Sequence, residues 1–380
     1  MLDCNNLNII GFPFTKIGRG IVSLNLFRAL KEVRCHPKIV DISSKSNNKD
    51  VDIENELKPY LQEFPTGKIN IFVINGDQIE STRKLIGTYP KDSYNIIYPA
   101  WELGDYPEDL LKNFSLFNEI WVPSNFIKDS IDQKTRKPLY LIPHPVNTRM
   151  PFYLNRNYFG IKNASYTFLF FFDFRSYIER KNPFGMLKAF EILCEKNPHM
   201  DIQAIIKVSG GERSSKAGSD YLNFLDQIKK NGFNDRIHLI NKQLSEIEIR
   251  NLIRCTDCFV SLHRSEGFGL GLAEAMSLGK PVIGTGYSGN LQFMNSDNSF
   301  LVNYELVPVL HGQYPYSENQ FWANPDVHQA SLLMETLIHE PKIGEDIGTK
   351  AKLSIDNEIS YLSIGLAMKN RIVEIIESIN

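Results

Sequence analysis

The residues best suited to chemistry lie in residues 261–280, which read SLHRSEGFGLGLAEAMSLGK. A strand end there leads into a turn with Gly267, Gly269 and Gly271 and then into a helix. Glycines let the backbone approach a ligand closely, and the free amides and dipole of a helix N-terminus favour phosphate or a sugar hydroxyl. The segment therefore predicts a turn that binds an anion or a polyol.

Two carboxylates flank this turn. Glu266 lies on the turn and Glu274 inside the helix, with seven residues between them, so both can face one cleft. An ionised carboxylate accepts several strong hydrogen bonds from a polyol such as a hexose or a ribose. The alternative is a solvated helix face with a capping glutamate, but the glycines beside the pair favour a binding site.

A second cluster follows the first strand of the second half, in residues 173–182, DFRSYIERKN. Arg175 and Lys181 have five residues between them, and a loop can turn both cations inward. The guanidinium fork and the compact ammonium both suit a diphosphate leaving group. The alternative is a solvated basic turn, of which Arg180 is the expected member.

Together these two segments resemble the family 4 glycosyltransferases. That family carries a Glu, seven residues, Glu pattern on a glycine-rich turn, matched by Glu266 and Glu274, and an Arg, five residues, Lys loop, matched by Arg175 and Lys181. The resemblance extends over most of the second half, including PVIGTGYSGN at residues 281–290, and is looser in the first. It implies a GT-B fold and transfer of a sugar from a nucleotide diphosphate with retention of the anomeric configuration.

The resemblance also implies roles for individual residues. Glu266 would bind hydroxyls of the transferred sugar, and Arg175 and Lys181 complete the catalytic set. Glu274 would bind the ribose, residues 241–248 the base, and the backbone amides of the turn the sugar and phosphate. One departure is that Ser288-Gly289 and Gln292 stand where the family often has Gly-Gly and Glu. The expected donor-binding residues are Gly18, Gly20, Lys207, Asn241, Leu244, Glu248, Phe268, Gly269, Leu270 and Glu274.

Other candidates each have a plainer alternative. Gly18 and Gly20, in the loop at residues 12–20, could close over the diphosphate or the acceptor. Lys207 ends a strand and could reach the phosphates, although a snorkelling lysine explains it nearly as well. On the acceptor side, Trp101 suits stacking on a sugar and Glu102 suits a hydroxyl, but Trp101 equally suits packing. His144, between two prolines, is expected to be a hinge residue or an acceptor-side group.

Short apolar runs alternate with amphipathic stretches, which predicts an α/β protein with two doubly wound, Rossmann-like domains facing a central cleft. The expected strands are residues 7–12, 38–42, 69–74, 95–98, 119–122 and 139–142, then 166–172, 202–207, 237–240, 258–262 and 281–283. The acceptor-side domain is predicted at residues 1–148 plus 360–380, and the nucleotide-sugar-binding domain at 149–359. The last helix is expected to cross back to the first domain.

Composition excludes several other classes. A net charge of -2 argues against a nucleic-acid partner. Five cysteines, scattered and odd in number, favour a reducing compartment. Cys255 and Cys258 lack a second ligand pair and are expected in the core, while the acidic triplet at residues 50–52 falls in a polar loop, residues 43–52, expected to be flexible. No metal is therefore expected, because the two cations already neutralise the leaving group.

The expected partners are a nucleotide sugar, a UDP sugar rather than a GDP sugar, and a glycan or lipid-linked glycan acceptor. The expected pathway is bacterial polysaccharide or lipopolysaccharide synthesis. Residues 1–11 lack a secretory pattern and the most apolar run, residues 167–174, is far too short to span a bilayer, so a cytoplasmic location is expected, with peripheral membrane contact left open. The rival functions are a nucleotide-sugar epimerase, another GT-B-fold enzyme such as a sugar phosphorylase, and a non-catalytic nucleotide-sugar-binding protein.

Overall fold

A computed structural model describes residues 6–15, 18–43, 51–147, 149–150, 152–211 and 215–379, with the side chains of residues 215 and 216 left out. The chain divides into two compact units, Met1–Asn147 with Asn357–Asn380, and Thr148–Asp356. The sequence places the corresponding boundaries after residues 148 and 359. Each unit is an α/β sandwich around a parallel sheet, as the alternation of apolar runs predicts.

The first unit contains a seven-stranded parallel sheet in the order β3-β2-β1-β4-β5-β6-β7. Strands such as Glu119–Val122 are buried on both faces because helices cover the sheet on each side. The elements are β1 Leu7–Gly11, α1 Gly18–Glu32, β2 Lys38–Asp41, α2 Val51–Leu57, β3 Leu61–Gln62, β4 Ile69–Phe72, α3 Ile79–Ile86, β5 Tyr94–Ile97, α4 Glu108–Lys112, β6 Glu119–Val122, α5 Asn125–Asp132 and β7 Leu139–Leu141.

The second unit contains a six-stranded parallel sheet in the order β10-β9-β8-β11-β12-β13, followed by an antiparallel hairpin, β14-β15. Its elements are β8 Tyr166–Asp173, α6 Ile178–Lys181, α7 Pro183–Lys196, β9 Ile202–Ser209, α8 Ser215–Lys230, β10 Ile237–Asn241, α9 Glu246–Cys255, β11 Cys258–Ser261, α10 Leu270–Ser277, β12 Val282–Thr285, β13 Phe300–Val302, β14 Tyr304–Pro308, β15 Phe321–Pro325, α11 Val327–His339 and α12 Pro341–Glu358.

The last helix, α13 (Tyr361–Ile379), belongs to the first unit, where it packs on α1. Gly365 makes this possible, because a side chain there would collide with the backbone of Ala29. Arg371 of α13 forms an ion pair with the fully buried Glu119 on β6, with 2.6 Å between Nη2 and Oε2. The return of the C-terminal helix to the first unit is confirmed.

Some elements differ from the sequence-based expectation. The sequence did not predict the helices α3, α6 and α12, the strands β3 and β13, or the hairpin. The flexible loop expected at residues 43–52 is wrong at its end, since α2 begins at Val51 with Asp52 and Glu54 in its first turn, where the helix dipole favours acidic residues. Residues 44–50, including Asp50 of the acidic triplet, lie outside the described residues.

Candidate active site

The candidate site lies at the switch point of the second sheet. Strands β8 and β11 are neighbours there, and the chain leaves them toward opposite edges of the sheet. In doubly wound sheets, ligands bind outside the carboxyl ends of strands at such a point. The loop after β8 carries Arg175 and Lys181, and the loop after β11 carries Glu266, so the topology brings the two sequence motifs to one edge.

Glu266 is the centre of a three-residue ion cluster. The Lys181 ammonium contacts its Oε1, and the Arg180 Nη1 lies 3.1 Å from its Oε2. Arg180 also donates to the backbone oxygen of Ser265 over 2.9 Å. Burial by itself raises the pKa of Glu266, but Lys181 and Arg180 outweigh that effect and hold the pKa at about 2. The carboxylate is therefore ionised at any physiological pH.

Arg180 corrects the expectation of a solvated basic turn. Its side chain is only 5% exposed and is held against Glu266, whereas Arg175, one of the two predicted phosphate ligands, is 51% exposed. The sequence missed Arg180 because nothing in the residue type distinguishes a buried cation from a solvated one. The adjacent Lys181 is a signal that could have identified Arg180. Helix α6 spans only Ile178–Lys181, and both cations lie in its last turn.

Arg175 is held by a second carboxylate at the end of β8. Its Nε donates to Asp173 Oδ1 over 2.8 Å, its Nη2 contacts Oδ2, and Ser209 also donates to Oδ2, over 3.0 Å. Burial raises the pKa of Asp173, but the hydrogen bonds from Arg175 outweigh it and leave the pKa lowered. This pairing fixes the guanidinium at the carboxyl end of β8.

Lys207 lies next to this pair, on β9. It is 9% exposed and pairs in register with Phe171 of β8. Burial lowers the pKa of its ammonium, while the nearby Asp173 partly opposes the shift. A buried cation close to Asp173 and Arg175 fits the predicted approach to a phosphate better than a snorkelling lysine does, because a snorkelling ammonium would reach water.

The glycine-rich turn adopts a conformation that depends on its glycines. Gly269, the N-cap of α10, has φ +91°, a backbone conformation that residues other than glycine rarely adopt. Gly289 packs so closely on the backbone of Gly267 that a side chain there would collide with it. The Ser288 hydroxyl accepts a hydrogen bond from the backbone N–H of Glu266 over 2.9 Å. Sequence reasoning left the role of the Ser288-Gly289 loop open, and the structure shows that the loop holds the Glu266 turn.

A buried polar network surrounds His263, which precedes the turn. His263 Nε2 lies 3.0 Å from Asn290 Oδ1, its Nδ1 lies 3.1 Å from the Ser261 hydroxyl, and the Thr285 hydroxyl donates to its backbone oxygen over 2.6 Å. Burial lowers the pKa of His263, so the imidazole is neutral. Phe268, predicted for its backbone amide, packs its buried ring on Phe293 at 4.9 Å.

Glu274 lies in the middle of α10, with Leu270 at its start and Gly271 packed on Phe171. Its side chain is half-buried. Burial raises the pKa of this carboxyl to about 7, although Arg250 of α9 partly lowers it. Glu274 therefore has a different setting from Glu266, since its nearest opposing charge comes from α9 and not from the loop after β8.

The predicted base-binding segment, residues 241–248, runs from the end of β10 into the first turn of α9. Asn241 donates to the Tyr221 hydroxyl over 2.7 Å and borders a pocket of about 250 Å³ that is also lined by Tyr158 and Lys242. Leu244 is buried, at 6% exposed. Glu248, predicted as a donor-binding residue, caps a helix: it forms a capping box with Ser245 at the start of α9 and accepts a hydrogen bond from Tyr158.

The candidates in the first unit form a separate group. Gly18 starts α1, and Gly20 allows α1 to approach the backbone of Thr15, with which a side chain would collide. Trp101, for which stacking on a sugar and packing were both predicted, has the setting of a packing residue: it is 6% exposed, packs on Tyr106 at 5.2 Å and donates to the Asp105 backbone over 3.0 Å. Glu102, which was predicted to bind a hydroxyl, is half-buried.

His144 is buried under Tyr98, whose hydroxyl lies 2.8 Å from its Nδ1 and donates to the Ile142 backbone over 2.6 Å. Burial lowers its pKa to about 3, so the imidazole is neutral at physiological pH. Because the ring is buried, accepts protons poorly and is held on Tyr98, it fits a packing role near the end of β7 better than that of an acceptor-side group.

The remaining sequence features concern cysteines, metal ligands and membrane contact. Cys255 and Cys258 are both buried with free thiols, as expected for core residues. Within the described part of the chain, no group of three or more His, Cys, Asp or Glu residues is placed to hold a metal ion. Two lysines that follow α5 bind backbone oxygens within the first unit, Lys134 that of Tyr106 and Lys137 that of Phe117. Among the described residues, no helix has the length and apolar character needed to cross a membrane.

The charges of this site suit an anionic ligand. Arg175, Arg180, Lys181 and Lys207 supply four cations against the two carboxylates Asp173 and Glu266, so these six groups keep a net positive charge. An ammonium has three N–H donors, and contact with Glu266 does not prevent Lys181 from also binding a phosphate oxygen. The arrangement can hold a diphosphate beside a carboxylate that accepts hydroxyl hydrogen bonds.

Comparison with known proteins agrees with this geometry. Residues 159–305 match the family described as glycosyl transferases group 1. The match lies within the second unit, and the matched residues include both sequence motifs and the loop at residues 286–290. No curated protein matches the sequence of this chain.

Solved structures match over nearly the whole chain. HepE of Anabaena, in complex with UDP and glucose, superposes with a TM-score of 0.70 at 12% identity, over 97% of this chain and 99% of that one. Sucrose-phosphate synthase of Thermosynechococcus elongatus superposes with a TM-score of 0.72 at 14% identity, over 98% of this chain and 100% of that one. TarM of S. aureus superposes with a TM-score of 0.58 at 14% identity, over 83% of this chain and 57% of that one. These matches show that the chain has the GT-B fold.

Proposed function

We propose that the chain is a glycosyltransferase that transfers a hexosyl group from a nucleotide diphosphate to a hydroxyl acceptor with retention of the anomeric configuration. The observation that carries the proposal is the cluster of Lys181, Arg180 and Glu266 at the switch point of the second sheet, within the residues that match the glycosyl transferases group 1 family. It places cations for a diphosphate beside a carboxylate for a sugar.

A UDP sugar is the proposed donor. HepE binds UDP and glucose in one structure and UDP-glucose in another, and the pneumococcal O-GlcNAc transferase GtfA was solved with UDP and GlcNAc. The proposed acceptor is a glycan or a lipid-linked glycan in bacterial polysaccharide or lipopolysaccharide synthesis, at the cytoplasmic side of the membrane. These finer assignments rest on the resemblance to family 4 glycosyltransferases and on the neighbours' ligands.

In the proposed mechanism, Arg175, Lys181 and Lys207 stabilise the negative charge that grows on the diphosphate as the glycosidic bond breaks. Fixed cations in a site with little water act strongly on developing charge. Asp173 keeps the Arg175 guanidinium in place, so little reorganisation is needed when the charge develops. Glu266, ionised because of Lys181 and Arg180, accepts hydrogen bonds from hydroxyls of the transferred sugar.

Retention follows, in this proposal, from attack of the acceptor hydroxyl on the same face as the leaving diphosphate. The C–O bond to the phosphate breaks through an oxocarbenium-like state, the bond to the acceptor oxygen forms, and the departing phosphate oxygen accepts the acceptor's proton. The cations already neutralise the leaving group, so no divalent metal is required. The products are the glycosylated acceptor and the nucleoside diphosphate.

The leaving-group assignment predicts that Arg175→Ala and Lys181→Ala each lower kcat roughly a hundredfold, because each removes a fixed charge that acts on a developing anion. The measurement is release of UDP from UDP-glucose and other UDP and GDP sugars with a pool of glycan acceptors. Lys188→Ala, which removes an exposed lysine of α7 paired with Glu191, is the matched control and should leave kcat unchanged. EDTA should also leave turnover unchanged.

The same assay separates the rival functions. An epimerase would convert the sugar nucleotide without an acceptor, and a phosphorylase would need inorganic phosphate as the acceptor. A binding protein would bind the nucleotide in a thermal-shift measurement but release no UDP with any acceptor. Wild-type turnover in both Arg175→Ala and Lys181→Ala would show that the diphosphate binds elsewhere, and an inverted product would contradict the proposed stereochemistry.

A further inference from the structure

The hairpin β14-β15, with the loop that joins its strands, contacts the loop that carries Glu266. The Ala323 N–H donates to the Arg264 backbone oxygen over 2.9 Å, and the guanidinium of Arg264 lies 5.7 Å from the centre of the fully buried Trp322 ring. The Arg264 N–H in turn donates to the Arg180 backbone oxygen over 2.8 Å. The hairpin is thus linked by hydrogen bonds to both loops of the ion cluster.

A second contact reaches the loop after β8 directly. The Tyr314 ring, from the loop of the hairpin, packs on the Tyr177 ring with 4.8 Å between centroids, and Tyr314 is 8% exposed. Tyr177 has φ +62°, a backbone conformation that a residue other than glycine keeps only where its surroundings hold it. Its backbone oxygen accepts hydrogen bonds from the N–H groups of Arg180 (3.1 Å) and Lys181 (3.2 Å).

A third contact reaches the loop after β12. The Tyr304 ring, at the start of β14, lies 5.1 Å from the Tyr287 ring. Tyr287 precedes Ser288, whose hydroxyl accepts from the Glu266 N–H. All three loops that form the ion cluster or hold its turn therefore contact one hairpin, although the hairpin supplies none of the charged groups.

We propose that the hairpin at residues 304–325 positions the ion cluster, and that Tyr314 is its main positioning residue. Tyr314 holds the strained Tyr177 backbone, and Tyr177 in turn accepts the backbone hydrogen bonds that start α6 and set the direction of Arg180 and Lys181 toward Glu266. The catalytic consequence of this positioning by Tyr314 rests on the function proposed above, whereas the structural consequence does not.

Amide hydrogen exchange tests the structural consequence. Tyr314→Ala and the bulkier Tyr314→Leu should each speed exchange at the Arg180 and Lys181 amides roughly tenfold, because they remove an aromatic pair that holds Tyr177. Tyr314→Phe keeps the ring and should exchange like the wild type. Leu310→Ala, a change at an exposed residue of the same hairpin loop, is the control and should have no effect.

Exchange in β9, Ile202–Ser209, is the internal reference. Faster exchange at Arg180 and Lys181 with unchanged exchange in β9 supports the proposal. Unchanged exchange at both amides in Tyr314→Ala and Tyr314→Leu overturns it, and so does an equal increase in β9, because Tyr314 would then stabilise the unit as a whole.

Kinetics tests the catalytic consequence. Tyr314→Ala should lower kcat by roughly tenfold with little change in the KM for the donor, and should have no further effect in a Lys181→Ala background. Additive effects of the two changes would overturn a role exerted through Lys181. If the wild type transfers no sugar, the proposed function fails, but the exchange experiment still decides whether Tyr314 positions the cluster.

Discussion

Glu266 and Glu274 show how the same residue type acquires opposite properties from its neighbours. Two cations overcome the burial of Glu266 and hold its pKa at about 2, whereas burial raises the pKa of Glu274 to about 7 with only Arg250 to oppose it. At neutral pH, Glu266 is therefore fully charged and Glu274 is divided between its two forms. A ligand hydroxyl that donates to Glu274 would favour the charged form.

The raised pKa of Glu274 predicts a pH-dependent stability. A folded-state pKa above the unfolded value of 4.5 means that the stabilising effect of protonation is fully present below pH 4.5 and is lost as the pH rises through about 7. Glu274→Gln, which cannot ionise, lacks this loss. Urea unfolding measures this difference. Between pH 5 and pH 8, the free energy of unfolding of the variant relative to that of the wild type should rise by at most about 3 kcal/mol. A constant difference between the two proteins would contradict the raised pKa.

Ser288 has a strained backbone conformation, and its side chain binds the turn that carries Glu266. Its φ of +77° and ψ of -151° lie in a region that is nearly exclusive to glycine and costs about 1–3 kcal/mol for other residues. Its hydroxyl accepts the hydrogen bond from the Glu266 N–H, a contact that contributes about 1 kcal/mol. At this departure from Gly-Gly, the hydrogen bond therefore offsets part of the backbone strain.

The balance at Ser288 predicts that two small substitutions differ. Ser288→Ala loses the hydrogen bond and keeps the strain, while Ser288→Gly loses the hydrogen bond and relieves the strain, so the glycine variant should be more stable than the alanine variant by about 1 kcal/mol. Both should lower turnover, because the Glu266 backbone loses its anchor. Urea unfolding and UDP release measure the two effects. Equal stability of the variants would mean that the backbone at Ser288 is not strained.

At the level of single residues, the sequence predicted what the local backbone and spacing determine. Lys181 and Glu266 were predicted to share a site, and they are in contact. Arg180 was missed, because burial of its guanidinium depends on the loop after β11, which is far away in the sequence. Trp101 was ambiguous for another reason: the tryptophan type suits both a sugar platform and an aromatic core, and contacts with the nearby Tyr106 and Asp105 favour the core.

Among the elements, the strongly apolar strands were predicted to within a few residues, because a buried parallel strand is an uninterrupted apolar run. The missed elements lack such a signal. Strand β14 is mostly exposed and mixed in composition, and β3 has only two residues, so neither stands out from a loop. Helix α12 is polar on most of its length, with Gly344 and Gly348 among its few buried residues, and its glycines made a helix look unfavourable. Packing on neighbouring parts of the unit overrides these weak local preferences.

Over the whole chain, the two units differ in how far their resemblance to known proteins is visible in the sequence. The family match covers residues 159–305, inside the second unit, whereas the solved GT-B structures cover up to 98% of the chain. The second unit needs glycines and charges at fixed positions of its turns, which leave a sequence signature. The first unit needs mainly apolar strands and helices, which many sequences satisfy, and its resemblance is therefore visible in the fold.

The chain path makes the first unit depend on its last helix. Glu119, fully buried on β6, accepts hydrogen bonds from Arg371 of α13, from Trp121 over 2.6 Å and from Tyr94 over 2.9 Å. Arg371 also lies over the Tyr140 ring, 3.8 Å from its centre. Nearly the whole chain must therefore be synthesised before this carboxylate obtains its cation.

Removal of that cation should destabilise the first unit strongly. Arg371→Met leaves Glu119 buried without its opposing charge and should cost about 3–5 kcal/mol, whereas the double change Glu119→Gln with Arg371→Met leaves no buried charge and should cost clearly less. Amide exchange measures this in β6 and α13, with β8 of the second unit as the reference, and Lys342→Met, at an exposed ion pair of α12, is the control. If the double variant were as unstable as Arg371→Met, the loss would come from packing of the arginine on Tyr140 and not from the uncompensated charge, and the ionic link between the last helix and the sheet would have to be abandoned.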